Sequence, residues 1–157
     1  MRKALVVLAA ATALLAWGHP AGAAERPQPK SPRRVVQAYV DDFNRGDAAA
    51  AASHFSTDAV LVTPLGSCNP CTGRDVIQGK FAGATSAQTH IAYTRPRVSK
   101  DKVSAPTTLT SPNFPPGVTR AVGSFTATVR RGKIIRLVQD YDRSDPETAM
   151  LFAATGQ

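Results

Sequence analysis

Residues 31–63 read SPRRVVQAYVDDFNRGDAAAAASHFSTDAVLVT, and the period of the apolar residues changes within this stretch. The first apolar side chains recur at spacings of three and four: Val36, Tyr39, Val40 and Phe43. This spacing predicts an amphipathic helix over about residues 33–45, which begins at Pro32 and ends at Gly46. A compact strand follows at 59–63. The order of elements, helix first and strand afterwards, is typical of an α+β domain.

The remaining chain continues the same order of elements. An alanine-rich helix is predicted over 48–55, with Asp47 as its cap, and a third helix over 73–81. Strand-like segments then follow: 90–99, 102–110, 119–130 and 133–142. Arg131-Gly132 supplies a hairpin turn between the last two. We expect a strongly curved antiparallel or mixed sheet that wraps around the first helix and leaves a cone with one open mouth.

The N-terminus has the three parts of an export signal. Arg2 and Lys3 are basic, an apolar run follows, and Ala21-Gly22-Ala23 offers small residues before a cut. The alternative, a membrane anchor, needs about 20 apolar residues, and this run is shorter and is interrupted by Gly18. We therefore expect cleavage after Ala23, or after the neighbouring Ala24, and export to the periplasm or the medium. The predicted organisation is as follows: signal peptide 1–23, flexible lead-in 24–31, domain 32–143 and C-terminal tail 144–157.

The charge of the chain is basic, with 19 lysines and arginines against 11 acidic residues. These basic residues are scattered and are not interleaved with aromatic residues, so they do not predict a nucleic-acid site. A solvated surface that can touch anionic lipid or glycan is the simpler interpretation. His54 and His90 lie far apart and have no ligand neighbours at metal-binding spacing, so we expect neither a metal nor a cofactor.

Cys68 and Cys71 are the only cysteines and form a C-x-x-C motif. A redox centre is one interpretation, because a helix beginning just after Cys71 would lower a thiol pKa. The motif lacks the βαβ setting of thioredoxin-like sites, and paired cysteines in an exported chain usually form structural disulfides. We expect a disulfide that fixes the loop between the first strand and the third helix.

Several of these motifs together resemble the SnoaL-like branch of the NTF2-like superfamily, which includes ketosteroid isomerase, polyketide cyclases and scytalone dehydratase. The resemblance extends over about residues 33–142. The stretches that carry it are Val35-Val36-Gln37-Ala38-Tyr39, Phe43-Asn44-Arg45-Gly46-Asp47, His54-Phe55-Ser56-Thr57-Asp58-Ala59-Val60, Thr63-Pro64, Thr72-Gly73-Arg74-Asp75-Val76-Ile77, Gly132-Lys133-Ile134-Ile135 and Tyr141-Asp142.

The resemblance implies the NTF2-like cone and a specific role for Tyr39. This residue stands where the isomerase has the tyrosine that donates to a substrate oxygen as negative charge develops on it. The two acids of the isomerase are missing, because Thr63 stands at the position of the base and Phe125 near that of the second acid. Steroid isomerisation is therefore not expected.

Strand alternation and the family analogy together predict an apolar pocket with a few polar groups. Its expected ligand-binding residues are Tyr39, Leu61, Thr63, Phe125, Leu137, Gln139 and Tyr141. Binding of a small apolar or aromatic molecule is the leading hypothesis. An enzyme of the cyclase, isomerase or dehydratase type would use Tyr39 to polarise a carbonyl, with His90 or Asp140 as base. A third hypothesis is an interaction module that forms a homodimer through its open sheet face.

Overall fold

The computed structural model describes residues 31–156. The predicted signal peptide, its cleavage site and residues 24–30 of the lead-in lie outside the described residues. None of the helices in the described part is long and apolar enough to cross a membrane.

Three helices precede most of the sheet, and a fourth follows it: α1 Pro32–Asn44, α2 Ala48–Ser53, α3 Arg74–Ser86 and α4 Pro146–Thr155. Helix α1 buries one stripe of side chains at the predicted spacing: Val35, Val36, Tyr39, Val40 and Phe43. The Asp47 carboxylate accepts a hydrogen bond from the backbone N–H of Ala50 at 2.8 Å, which caps α2 as expected. Helix α3 is longer than predicted and buries Ile77 and Phe81.

Seven strands form one sheet: β1 Phe55–Val62, β2 Cys71–Thr72, β3 His90–Tyr93, β4 Arg97–Ser99, β5 Lys102–Thr110, β6 Ala121–Arg130 and β7 Lys133–Tyr141. The strand order is β2-β1-β7-β6-β5-β3, and β4 also pairs with β5. Strand β1 runs parallel to β7, and the other pairs are antiparallel. The predicted single strand over 90–99 is wrong, because Arg95, at φ 48°, and Pro96 break it into β3 and β4.

The sheet is strongly curved and unclosed, and it wraps around α1 and α3. Its register shifts between Phe55 and Val60 on β1 and between Thr128 and Val129 on β6. Such irregularities increase local twist and bend the sheet. The helices and the concave face of the sheet enclose a single hydrophobic core. The predicted α+β fold class, an NTF2-like cone, is therefore confirmed.

The sequence predicts a tail over 144–157 with a terminal helical turn at 147–154, and the structure has a longer, packed helix there. Asp145 accepts a hydrogen bond from the backbone N–H of Thr148 at 3.0 Å, and a helix of ten residues, α4, follows. Leu151 and Phe152 on this helix are buried, and the Phe152 ring packs 5.6 Å from the Tyr141 ring. Residues after 143 thus belong to the packed structure.

Candidate functional site

A cavity of about 560 Å³ lies between α1, α3 and the concave face of the sheet. The loop at 113–115 and helix α4 also contribute residues to its wall. Most of its wall is apolar, with Phe43, Leu61, Phe81, Ile91, Leu109 and Leu151 among the lining residues. Its volume and its mostly apolar wall are those of a small-molecule site.

Tyr39 projects from the buried stripe of α1 into this cavity. Its ring is held by three phenylalanines, with centroid distances of 5.2 Å to Phe55, 5.5 Å to Phe81 and 6.3 Å to Phe43. No residue in the described part of the chain forms a hydrogen bond with its hydroxyl. Burial raises the pKa of Tyr39 well above its ordinary value, and the nearby Tyr141 raises it further. The group therefore stays a neutral O–H donor over the physiological pH range.

The other polar groups of the cavity come from the paired strands β1 and β7. Thr63 follows the end of β1 and is 1% exposed, and its hydroxyl accepts from the backbone N–H of Leu65 at 3.4 Å. Tyr141 ends β7. Burial raises its pKa strongly, and a hydrogen bond with Thr63 opposes this rise only in part. Gln139, two residues earlier on β7, also lines the cavity, and its side-chain amide has no hydrogen-bond partner between residues 31 and 156.

Of the seven predicted pocket residues, five line this cavity and two do not. Phe125 is directly paired with Gln139 and lies on the same face of the sheet, but the Tyr93 ring covers it at a centroid distance of 5.5 Å. Leu137 is 1% exposed and is packed in the core, where its neighbours in the register are Leu61 and Ala127. The prediction that these two side chains line the pocket is therefore corrected.

Neither candidate base lies in the cavity. His90 is exposed at the first position of β3, where it pairs with Thr110. Asp140 is exposed on the opposite face of β7 from Gln139, and its carboxylate accepts a hydrogen bond from the backbone N–H of Tyr141 at 3.0 Å. The structure thus separates both groups from Tyr39. His54, the other imidazole, forms a contact of 2.6 Å with the Asp42 carboxylate outside the cavity.

The loop beside the cavity is closed by a disulfide between Cys68 and Cys71, whose Cα atoms are 5.1 Å apart. Cys71 is completely buried. The residues just before this disulfide, Leu65, Gly66 and Ser67, line the cavity. The bond therefore fixes the rim of the site.

Sequence reasoning missed Lys80, which lines the cavity from α3. Its ammonium group donates a hydrogen bond to the backbone carbonyl of Leu65. Partial burial lowers the pKa of Lys80 below its ordinary value. The available signal was its position, since Lys80 is three residues after the buried Ile77 and next to the buried Phe81, on the apolar face of the helix. Leu151 and Thr155 of α4 were also missed, because the segment was predicted to be a tail.

The arrangement offers neutral hydroxyl and amide groups and one amine in an apolar enclosure. It can hold a small molecule and donate hydrogen bonds to its oxygen atoms. Within residues 31–156, no group of three or more His, Cys, Asp and Glu side chains is placed to hold a metal ion.

Comparison with known proteins identifies the family of this chain and several proteins of similar structure. The model of the SnoaL-like domain matches residues 36–137, and no curated protein matches the chain. An NTF2-like protein of unknown function from Cytophaga hutchinsonii has a similar structure, at 12% identity and a TM-score of 0.60, over 73% of this chain and 92% of that one. SalBIII is also similar, an epoxide hydrolase/cyclase-like enzyme with a role in pyran ring formation in the polyether salinomycin. Its identity is 22%, its TM-score 0.63 and the coverage 73% and 92%.

A computationally designed 17-OHP binder has the same fold, at 17% identity and a TM-score of 0.60, over 73% of this chain and 94% of that one. At these identities the structural likeness concerns the fold alone. The family match covers most of the described residues and includes most of α1, all of α3 and the sheet as far as the first half of β7. The chain belongs to the SnoaL-like domain family, and its fold is NTF2-like.

Proposed function

We propose that this protein is exported and binds a small apolar or aromatic molecule in its cavity, without ketosteroid isomerase chemistry. The observation that carries the proposal is the pair of unsatisfied polar groups in an apolar wall. The Tyr39 hydroxyl and the Gln139 amide have no partner among residues 31–156, and both line the cavity. Neither group is among the buried side-chain atoms without a partner, since Ser56 supplies the one such atom among residues 31–156. Both groups are therefore accessible from the cavity, where a ligand with oxygen atoms can accept their hydrogen bonds.

The enzyme alternative is weaker than binding. A cyclase, isomerase or dehydratase using Tyr39 needs a base within hydrogen-bond reach of the same substrate. His90 and Asp140, the bases that this alternative named, lie outside the cavity. The likeness to SalBIII and to the designed 17-OHP binder supports both readings, since one of those proteins is an enzyme and the other a binder.

Export is part of the proposal and is supported by the N-terminal residue pattern and the Cys68–Cys71 disulfide. An oxidising compartment favours such a bond. The expected homodimer stays a prediction, and light scattering on the purified chain tests it. Mass spectrometry of the exported protein tests the predicted cut after Ala23 or Ala24.

Native mass spectrometry of protein purified from its own compartment tests binding most directly. A co-purifying molecule of the proposed class would support the function. A second experiment uses the fluorescence of N-phenylnaphthylamine, a neutral aromatic probe, with the chain from residue 24 onward. We expect saturable binding at one site per chain.

A blocking variant and its control connect that binding to the cavity. Gly83 lines the cavity, and a Cβ added there meets no atom within 4 Å, so Gly83→Trp should fold and fill part of the space. Ala82→Trp places the same ring at the neighbouring exposed position of the same helix, which does not line the cavity. We expect the first variant to lose most probe binding and the second to retain it. Equal binding by both variants, or none by the parent chain, would refute the proposed function.

A further inference from the structure

We propose that the ligand carries an anionic group, of the carboxylate class, and that Lys80 binds this group at the rim of the cavity. The inference rests on the proposed function and specifies the chemistry of its ligand. A neutral polar part of the same molecule would face the hydroxyl of Tyr39 and the amide of Gln139.

The first support is the placement of the amine. Lys80 is half-buried on α3 and lines the cavity, between the buried Ile77 and the partly buried Ala84. Its ammonium group lies against the backbone of Gly66, a residue exposed at the cavity rim. A lysine on a helix surface normally extends its charge into water. This side chain instead directs its amine to the edge of an apolar enclosure.

The second support is the missing counter-charge. Among the described residues that line the cavity, Lys80 is the only charged one, and no carboxylate between residues 31 and 156 forms an ion pair with it. Its one protein acceptor is the neutral carbonyl oxygen of Leu65. An ammonium group has three N–H donors, so two remain for a ligand.

The third support is the energetic consequence of that placement. Removing a charge from water without a partner is unfavourable, and it lowers the pKa of Lys80. A bound anion would offset this cost through charge-assisted hydrogen bonds, whereas a neutral ligand would bury the amine further without compensation. The site therefore favours an amphiphilic molecule over a purely apolar one.

A matched pair of probes tests the charge. Anilinonaphthalene sulfonate has the same body as N-phenylnaphthylamine, a naphthalene and a phenyl ring joined by an amine, and adds one sulfonate, which stands in for the carboxylate. We expect the anionic probe to displace the neutral one and to bind more tightly. Lys80→Met should weaken binding of the anionic probe roughly 10-fold and change that of the neutral probe less than about twofold.

The control variant is Lys133→Met. Lys133 also donates its amine to a backbone carbonyl, that of Ser53 at 2.6 Å, but it is exposed and outside the cavity. It should leave both affinities unchanged. Lys80→Arg, which retains the charge, should retain most of the preference for the anion. The preference of the parent chain should also fall with added salt, a measurement that needs no variant.

The outcomes separate the two proposals. If the neutral probe does not bind the parent chain, the proposed function fails. If both probes bind with equal affinity, or if Lys80→Met weakens both equally, the anionic ligand is refuted while cavity binding stands. The anionic ligand is also refuted if the anionic probe fails to displace the neutral one, because the anionic probe would then bind outside the cavity.

Discussion

Replacing Tyr39 with phenylalanine removes one oxygen atom from the cavity wall and leaves the ring among Phe43, Phe55 and Phe81. Because the hydroxyl has no partner among the described residues, its loss breaks no hydrogen bond in the unliganded protein. It removes a polar group from largely apolar surroundings, and we expect the free energy of unfolding to stay unchanged or to rise by up to about 1 kcal/mol. For a domain of this size, that is an increase in Tm of up to about 4 °C.

The same variant should bind a carbonyl ligand less well. A neutral hydrogen bond contributes about 1 kcal/mol, so the Kd should rise about fivefold. Benzophenone and diphenylmethane, which differ in one carbonyl group, provide the comparison when each displaces N-phenylnaphthylamine. Tyr39→Phe should weaken the binding of benzophenone and leave the affinity for diphenylmethane unchanged. The difference between the two changes isolates the contact between hydroxyl and carbonyl, as in a double-mutant cycle.

Tyr93→Phe is the matched control, since it also removes one phenolic oxygen. The Tyr93 hydroxyl donates to the Gln37 side chain outside the cavity, and the Tyr93 ring packs on Phe125. Its loss should lower stability by about 0.5 kcal/mol and leave both ligands unaffected. The reasoning about Tyr39 would be refuted if Tyr39→Phe lowered stability by more than about 1 kcal/mol, since its hydroxyl would then have a structural partner. Equal weakening of both ligands would refute the proposed contact.

Three further predictions concern the frame of the site. Reduction of the Cys68–Cys71 disulfide should lower stability by about 2 kcal/mol in the loop-entropy model, measured by thermal melts with and without reductant; an unchanged Tm would contradict a structural role. Gly123→Ala should cost about 1–3 kcal/mol, because a Cβ there would lie 2.8 Å from the Cα of Tyr141 and force β6 from β7; a denaturant midpoint equal to the parent's would show that the strands adjust freely. The raised pKa values of Tyr39 and Tyr141 predict stability that is fully present below about pH 10, the ordinary tyrosine value, and is lost as the pH rises toward the folded-state values. In the Tyr93→Phe variant, which leaves only these two tyrosines, phenolate absorbance should therefore appear together with unfolding. Early ionisation of that folded variant would argue against burial.

The sequence pattern was sufficient for most of the elements and for which residues share a face of a strand. The predicted strand at 102–110 has the observed bounds of β5, and the stripe of α1 is buried as its spacing required. Alternation along β7 put Gln139 and Tyr141 on one face, and the family resemblance implied that this face is the concave one; both residues line the cavity. These successes depend on local periodicity, which the backbone geometry of helices and strands imposes directly.

Alternation shows which residues of a strand share a face, but it does not show which of them are covered by side chains from other elements. Leu137 and Phe125 lie on the predicted face but are covered, Phe125 by the ring of Tyr93 from another strand. Lys80 was missed for a related reason. A lysine within an apolar stripe normally reaches solvent, and only the loop at 65–67, brought against α3 by the fold, makes its amine part of a cavity.

Three polar groups of the cavity lack a full set of hydrogen-bond partners in the unliganded protein. The Tyr39 hydroxyl, the Gln139 amide and the Lys80 amine are each placed where the unliganded protein satisfies them incompletely or not at all. Apolar side chains at the same positions would make a more stable empty domain, because unpaired polar groups cost free energy when water is excluded. A ligand that pairs with all three would convert this cost into affinity and stabilise the folded chain in proportion to its concentration above the Kd. Protein purified from its own host should consequently melt at a higher temperature before a co-purifying ligand is removed than after, and by a margin that Tyr39→Phe and Lys80→Met each reduce.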